Sequence, residues 1–234
     1  MRAVFLETNI LKDAKETALI PITGDRAHHL IKVIRINENE KLLLMNGEGI
    51  IFEAQVQLIN KRDLVVKILN FIHFPKKQIV DLVLAIPSKE AMEDSLRQSV
   101  ELGISHIQPI TTQYSEKNFE FTERHQRIFE SALIQSNNPY FPNVGKTQTF
   151  KEFCHTLDPK KTYLYFCSRK QDLSFSLNKE VATVIIGPEG GFSVEEEEIL
   201  QTYSNVKFIH LPSYILRTPT AISCACGFVF ANHL

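Results

Sequence analysis

The stretch Gly187-Pro188-Glu189-Gly190-Gly191 sets one carboxylate in a loop nearly bare of side chains. It is either an ordinary strand-to-helix turn or a place where a ligand can approach the backbone closely. The loop's N–H groups, with the start of a following helix, can hold polar or anionic parts of a small molecule. Two more segments complement it: Phe166-Cys167-Ser168-Arg169, and Leu211-Pro212-Ser213-Tyr214-Ile215-Leu216-Arg217-Thr218. The second alternates apolar side chains with backbone polar groups, which suits a flat ring held by packing and read at its edge by N–H and C=O. Arg217 is the only fixed charge expected there. It can steady an anion, or it can form a salt bridge to Glu101 or Glu189.

These groups need strands and helices to position them. Val184-Ile185-Ile186 is an apolar β-branched run that stops at Gly187, so it reads as a buried strand. Ser193 with Glu196 is a capping box that opens the next helix. After His73-Phe74-Pro75-Lys76-Lys77-Gln78 the chain alternates strands and helices. Strands are expected at 79–86, 104–110, 162–166, 181–186 and 206–211. Helices are expected from Ser88 to Leu102, from Thr122 to Gln135, after Ser193 and from Pro219 to Asn232. The first has a Glu93–Arg97 pair on its surface and Gly103 as its stop. Such alternation predicts a mostly parallel sheet, with ligands beyond the carboxyl ends of its strands. The loops after residues 166, 186 and 211 then converge if their strands are neighbours.

Residues 1–72 read as a smaller β-rich unit, with strands at 1–5, 41–45, 50–58 and 64–71. Asn46-Gly47-Glu48-Gly49 supplies a hairpin turn. Asp25 to Ile36 reads as a helix. Leu30, Val33 and Ile34 form its apolar stripe, and His28, His29, Lys32 and Arg35 its basic arc. That arc is either an RNA-backbone contact or a solvated face.

Over 234 residues the formal net charge is -1, so nucleic acid would have to be met by a local patch. No apolar run approaches the ~20 residues that span a membrane, and the amino terminus does not read as a signal peptide. A cytoplasmic protein is expected. Cys154, Cys167, Cys224 and Cys226 include no Cys-x-x-Cys pair, and the histidines are scattered, so four mostly buried thiols and no metal are expected. Rossmann, Walker and nucleophile-elbow motifs are missing.

The chain resembles the RsmE family of SPOUT methyltransferases. Four ordered pieces carry the resemblance: Arg26-x-His28-His29-Leu30-x-x-Val33-x-Arg35, Gln98-Ser99-Val100-Glu101-Leu102-Gly103, Gly187 to Gly191, and Ile215-Leu216-Arg217-Thr218. The resemblance implies an α/β fold, with a PUA-like RNA-binding β-barrel over 1–72 and a SPOUT domain tied in a trefoil knot over 73–234. It implies methylation of N3 of one uridine in 16S ribosomal RNA of the small ribosomal subunit, with S-adenosyl-L-methionine as cofactor, by a homodimer. Cofactor contacts would come from Phe166, Cys167, Gly187, Glu189, Gly190, Gly191, Leu211, Ile215, Leu216 and Thr218. RNA would meet Arg2, Arg26, His29 and Arg35, and Arg217 near the pocket. Arg217 and Glu101 are the catalytic candidates. Arg217 would steady the uridine anion formed when N3 loses its proton, and Glu101 or Glu189 could be the base.

Three positions depart from the family pattern. Pro219 stands for the glutamate of Leu-Arg-Thr-Glu-x-Ala. Pro212 and Tyr214 stand for the glycine and arginine of Leu-Gly-x-Arg. Ile134-Gln135-Ser136-Asn137-Asn138 lacks the charges of Glu-Gln-x-x-x-Arg. All three are expected near the substrate side. They leave two alternatives beside the uridine methyltransferase: a non-catalytic RNA-binding or ribosome-assembly factor, and a SPOUT enzyme with another RNA target.

Overall fold

The computed structural model describes residues 2–11, 14–76, 80–167, 182–211 and 213–233. Expected features at Met1, Lys77, Gln78, Ile79, Ser168, Arg169, Val181 and Pro212 lie outside the described residues. The chain forms two compact units: Met1–Lys76 with Leu133–Phe141, and Lys77–Ala132 with Pro142–Leu234. The sequence-based boundary at residue 72 therefore shifts to 76, and a second segment joins the first unit.

In the first unit, β1 (Arg2–Phe5), α1 (Thr8–Leu11), β2 (Leu19–Ile22) and α2 (Gly24–His28) precede β3 (Lys41–Met45), β4 (Ile50–Ile59) and β5 (Leu64–His73). The sheet runs β1-β3-β4-β5-β2, with β1 parallel to β3 and the other pairs antiparallel. Alternate residues are buried: Leu42 and Leu44, Phe52, Ala54 and Val56, Leu64, Val66 and Ile68 share one core with Ala27 and Leu30. That is the period-2 pattern of a sheet covered on one face.

The expected helix from Asp25 to Ile36 is broken. A π-helical turn spans His29–Val33, with the Ile34 N–H on the His29 carbonyl at 2.9 Å, and Arg35 then takes φ 56°. One extra residue per turn rotates the following side chains. Val33, assigned to the apolar stripe on a 3.6-residue wheel, is 63% exposed, and Ile36 is buried in its place.

The Asn46–Gly49 turn does join β3 to β4 as a hairpin, and the Asn46 side-chain oxygen accepts from the Glu48 and Ile50 N–H groups. Its glycines also make room for another segment. A Cβ built on Gly47 would run into the Phe141 ring. One built on Gly49 would meet the Tyr140 hydroxyl. This cradle explains why Leu133–Phe141 belongs to the first unit. It also explains Asn137 and Asn138. Asn137 takes φ 56° directly after α4 (Glu123–Ser136), and the Asn138 side chain accepts from the Tyr140 N–H at 3.0 Å. These residues stop a helix and aim two rings.

The second unit contains β6 (Val80–Ala85), α3 (Lys89–Glu101), β7 (His106–Thr111), the start of α4, β8 (Asn143–Val144), β9 (Gln148–Thr149), α5 (Phe150–His155), β10 (Tyr163–Cys167), β11 (Ala182–Ile186), α6 (Val194–Gln201), β12 (Val206–His210) and α7 (Thr218–His233). Its sheet is parallel in order β12-β10-β11-β6-β7-β8, with β9 also on β7. β6 and β11 are buried along their whole length, as strands covered on both faces must be. Val83, Ala85, Tyr165 and Ile185 face the Phe150, Phe153 and Leu200 side chains of α5 and α6. Residues alternating with them point to the other face, where α7 packs on β11 and α3.

Gly103 stops α3 with φ 70°, as its position predicts. The expected Glu93–Arg97 pair does not form. Arg97 turns to Asp94 at 2.6 Å, and Glu93 takes Arg124 of α4 in a two-pronged bond of 2.7 and 2.8 Å. The planar guanidinium matches both carboxylate oxygens, a geometry the one-helix pair cannot offer.

Candidate active site

β10 lies between β11 and β12, so the carboxyl ends of these three strands are adjacent. The loop after β11 is tied to the start of α7, and β10 to β12. The Thr218 hydroxyl donates to the Gly187 carbonyl at 3.3 Å, and the Cys167 thiol donates to the Ile209 carbonyl at 3.7 Å. Between them is a cavity of about 530 Å³, within the roughly 300–1,000 Å³ of small-molecule sites. Phe166, Cys167, Gly187, Glu189, Gly190, Gly191, Leu211, Ile215, Leu216 and Thr218 all line it. Every cofactor contact named from the resemblance is thus brought to one place.

The glycine loop is shaped by its missing side chains. A Cβ on Gly187 would come within 3.2 Å of the Gly191 Cα, and one on Gly190 within 3.0 Å of the Tyr114 side chain. Gly191 has φ 70°, and its N–H bonds the Pro188 carbonyl at 2.9 Å. Ser193 and Glu196 form the expected capping box at the start of α6. Glu196 also accepts from the Gln113 N–H at 2.9 Å, which brings the loop after β7 to the same corner.

Glu189 is held by Ser88. The Ser88 hydroxyl donates to one carboxylate oxygen at 2.6 Å, and its N–H lies 3.2 and 3.3 Å from the two oxygens. Ser88 occupies the N-cap of α3, as expected, but its own hydroxyl does not cap the helix. Burial opposes ionisation of Glu189. The hydrogen bonds from Ser88 outweigh it and hold the carboxyl below the usual range.

The cavity also contains a pair the sequence reading did not single out. The Tyr165 hydroxyl donates to Glu197 at 2.9 Å, and both residues line the wall. Burial, with the neighbouring Glu197 charge, pushes the Tyr165 phenol far above its ordinary value. The signal was present in two places. Tyr165 is two residues before Cys167 on the same strand face, and Glu197 is one turn beyond Ser193.

The charged candidates separate. Arg217 is exposed, between the cavity-lining Leu216 and Thr218, and makes no ion pair among the described residues. The expected salt bridge to Glu101 or Glu189 is not among its contacts. Glu101 ends α3. That helix starts beyond the carboxyl end of β6 and runs back roughly 20 Å at 1.5 Å per residue. Within one chain, Glu101 therefore lies at the amino-terminal edge of the sheet, away from the cavity. Pro219 sits in the first turn of α7, where a missing N–H costs nothing.

In the first unit, Arg2 pairs with Glu40 at 2.8 Å. Arg26 approaches Glu7 at 3.4 Å and lies over the Phe5 ring at 5.2 Å. His29 and Arg35 are exposed. Surface pairs of this kind are worth ~0–1 kcal/mol and can yield to a phosphate. Cys154 and Cys226 are buried thiols, pushed up to about 11 and about 12 by burial. Cys224 is exposed while Cys226 is buried, so the two fall on different sides of α7. Among the described residues no group of three His, Cys, Asp or Glu could hold a metal, and no helix is long and apolar enough to cross a membrane.

Residues 75–229 match the RNA methyltransferase domain family, and residues 22–69 match the RNA methyltransferase PUA domain family. Ribosomal RNA small subunit methyltransferase E of Rickettsia conorii is 30% identical over 212 residues, covering 88% of this chain and 87% of that protein. The protein of the same name from Aquifex aeolicus is 27% identical over 217 residues, covering 90% and 93%. The crystal structure of ribosomal RNA small subunit methyltransferase E from Neisseria gonorrhoeae, bound to S-adenosyl methionine, superposes with a TM-score of 0.83 at 23% identity, covering 99% and 97% of the two chains. At that identity the likeness concerns the fold.

Proposed function

Because this chain belongs to the ribosomal RNA small subunit methyltransferase E family, we propose that it transfers a methyl group from S-adenosylmethionine to N3 of a uridine in small-subunit ribosomal RNA. One observation carries the reading: the carboxyl end of β10 and the loops after β11 and β12 line one cavity, with Gly187 and Gly190 packed too tightly for a Cβ to fit without a shift. Backbone beside Gly187, Gly190 and Gly191 would hold the polar parts of the cofactor, and Leu211, Ile215 and Leu216 would pack its adenine. When bound, the cofactor supplies an electrophilic methyl group on a sulfonium.

Uridine N3 has no useful lone pair until its proton leaves. Arg217, exposed beside the cavity, is the group of this chain suited to steady the resulting anion. Glu189 serves as a positioning residue, because its carboxylate is occupied by Ser88. Catalysis by this chain is then largely orientation. The PUA-like unit is the second RNA contact, through Arg2, Arg26, His29 and Arg35, and its five strands are read as a barrel. The order β12-β10-β11-β6-β7 is read as the scaffold of a trefoil knot, and α7, with Cys224 and Gly227 exposed on an apolar helix, as the homodimer face. With a ribosomal RNA substrate, the protein is read as cytoplasmic.

The test is methyl transfer. Purified protein is incubated with radiolabelled S-adenosylmethionine and small ribosomal subunits from cells lacking this gene. Label retained in the RNA supports the reading. Cofactor binding without transfer would support a non-catalytic RNA-binding or ribosome-assembly factor.

A further inference from the structure

Tyr214 is 96% exposed and Ile215 is 90% exposed, yet both line the cavity. The Tyr214 carbonyl accepts from the Ser213 hydroxyl at 3.1 Å, which shapes the loop and leaves the ring in water. Three residues on, Arg217 is an exposed cation with no ion pair among the described residues. A flat ring and a cation at the mouth of a ligand cavity match a nucleotide, which offers a π face and a phosphate.

We propose that Tyr214 is the platform on which a base of the RNA substrate stacks as it reaches the cavity. The proposal deepens the methyltransferase reading and rests on it. Uridine N3 takes part in base pairing, so the reacting nucleotide must leave its stack, and a displaced base needs a new face to lie on. Tyr214 replaces the arginine of the Leu-Gly-x-Arg pattern. Guanidinium planes and aromatic rings both stack on bases, so the exchange keeps a stacking surface while removing a charge. Arg217 remains as the cation beside it.

The chain contains no tryptophan, so Tyr214→Trp creates a single fluorescent reporter at an exposed position. A single-stranded RNA with an unpaired uridine should quench it saturably, and heparin, a polyanion without bases, should not. In filter binding, Tyr214→Ala should weaken the same RNA about tenfold, and Tyr214→Phe should recover most of that loss. S-adenosylmethionine affinity, read by calorimetry, should change far less than RNA affinity in all three variants, because the ring stands 96% exposed at the cavity mouth. RNA that binds without quenching, or binds Tyr214→Ala as tightly as the parent, would overturn the proposal. Blue-shifted emission that grows with protein concentration before RNA is added would also overturn it, by assigning the ring to a second copy of the chain. Fluorescence and filter binding do not depend on turnover, so failure of the methyl-transfer reading would be seen separately.

Discussion

The Ser88 hydroxyl donates to the Glu189 carboxylate at 2.6 Å, joining residues 101 positions apart in the chain. Through this bond the glycine loop is pinned to the first turn of α3. Ser88→Ala should cost about 1 kcal/mol, the usual net worth of a hydrogen bond, and should weaken S-adenosylmethionine several-fold as the loop loosens. Paired thermal denaturation and calorimetry check both effects. The sign with pH follows from the depressed carboxyl of Glu189. Its stabilisation is present above the ordinary value of 4.5 and is lost as pH falls through the lower folded value. Glu189→Gln should therefore be less stable than the parent at neutral pH and should approach it in acid.

Gly47 and Gly49 are held by the rings they accommodate. Gly47→Ala adds a Cβ that overlaps the Phe141 ring at a residue with φ 73°. Overpacking and left-handed strain together should cost about 2–4 kcal/mol. Chemical denaturation measures this. Phe141→Ala in the same background should recover part of the loss, because the clash is with that ring.

His125 gives the chain a pH-sensitive helix start. Its Nδ1 accepts from the Thr122 N–H at 3.0 Å, which requires a deprotonated Nδ1. Burial lowers its pKa first; the Glu93 charge opposes this and the Arg124 charge adds to it. The unfolded chain therefore binds more protons near the ordinary histidine value of 6.5, and stability must rise with pH through that range. Between pH 5.5 and 7.5 the parent should gain more stability than His125→Gln. The difference in slope cannot exceed about 1.4 kcal/mol per pH unit, the limit for one proton.

Arg217→Ala removes the exposed cation beside Leu216 and Thr218. Methyl transfer should fall about a hundredfold if the side chain steadies the uridine anion. Calorimetric affinity for S-adenosylmethionine should change little, since Arg217 does not line the cavity. Arg217→Lys should recover part of the rate by restoring the charge without the fork.

The parallel sheet and the edge that carries the cavity were legible in the sequence because the apolar stretches ending at Gly187 and Leu211 obey local rules. That the loops after β11 and β12 meet followed from strand ends alone. Long-range contacts were not legible. Glu93 was assigned to Arg97 by helical spacing, but it meets Arg124 of another helix. Asn137 and Asn138 read as lost charges near a substrate, and their work is to end α4 and aim Tyr140. The π-helical turn at His29–Val33 defeated a wheel drawn at constant period. Glu101 sat in a family-like motif, but the helix length carries it to the far edge of the sheet.

The most direct measurement of the central claim is the identity of the methylated nucleoside. Small subunits from cells lacking this gene are treated with the protein and radiolabelled S-adenosylmethionine, and the RNA is digested to nucleosides and separated. Label in 3-methyluridine is the expected result. Label in any other nucleoside, or none while calorimetry shows the cofactor bound, would contradict the account.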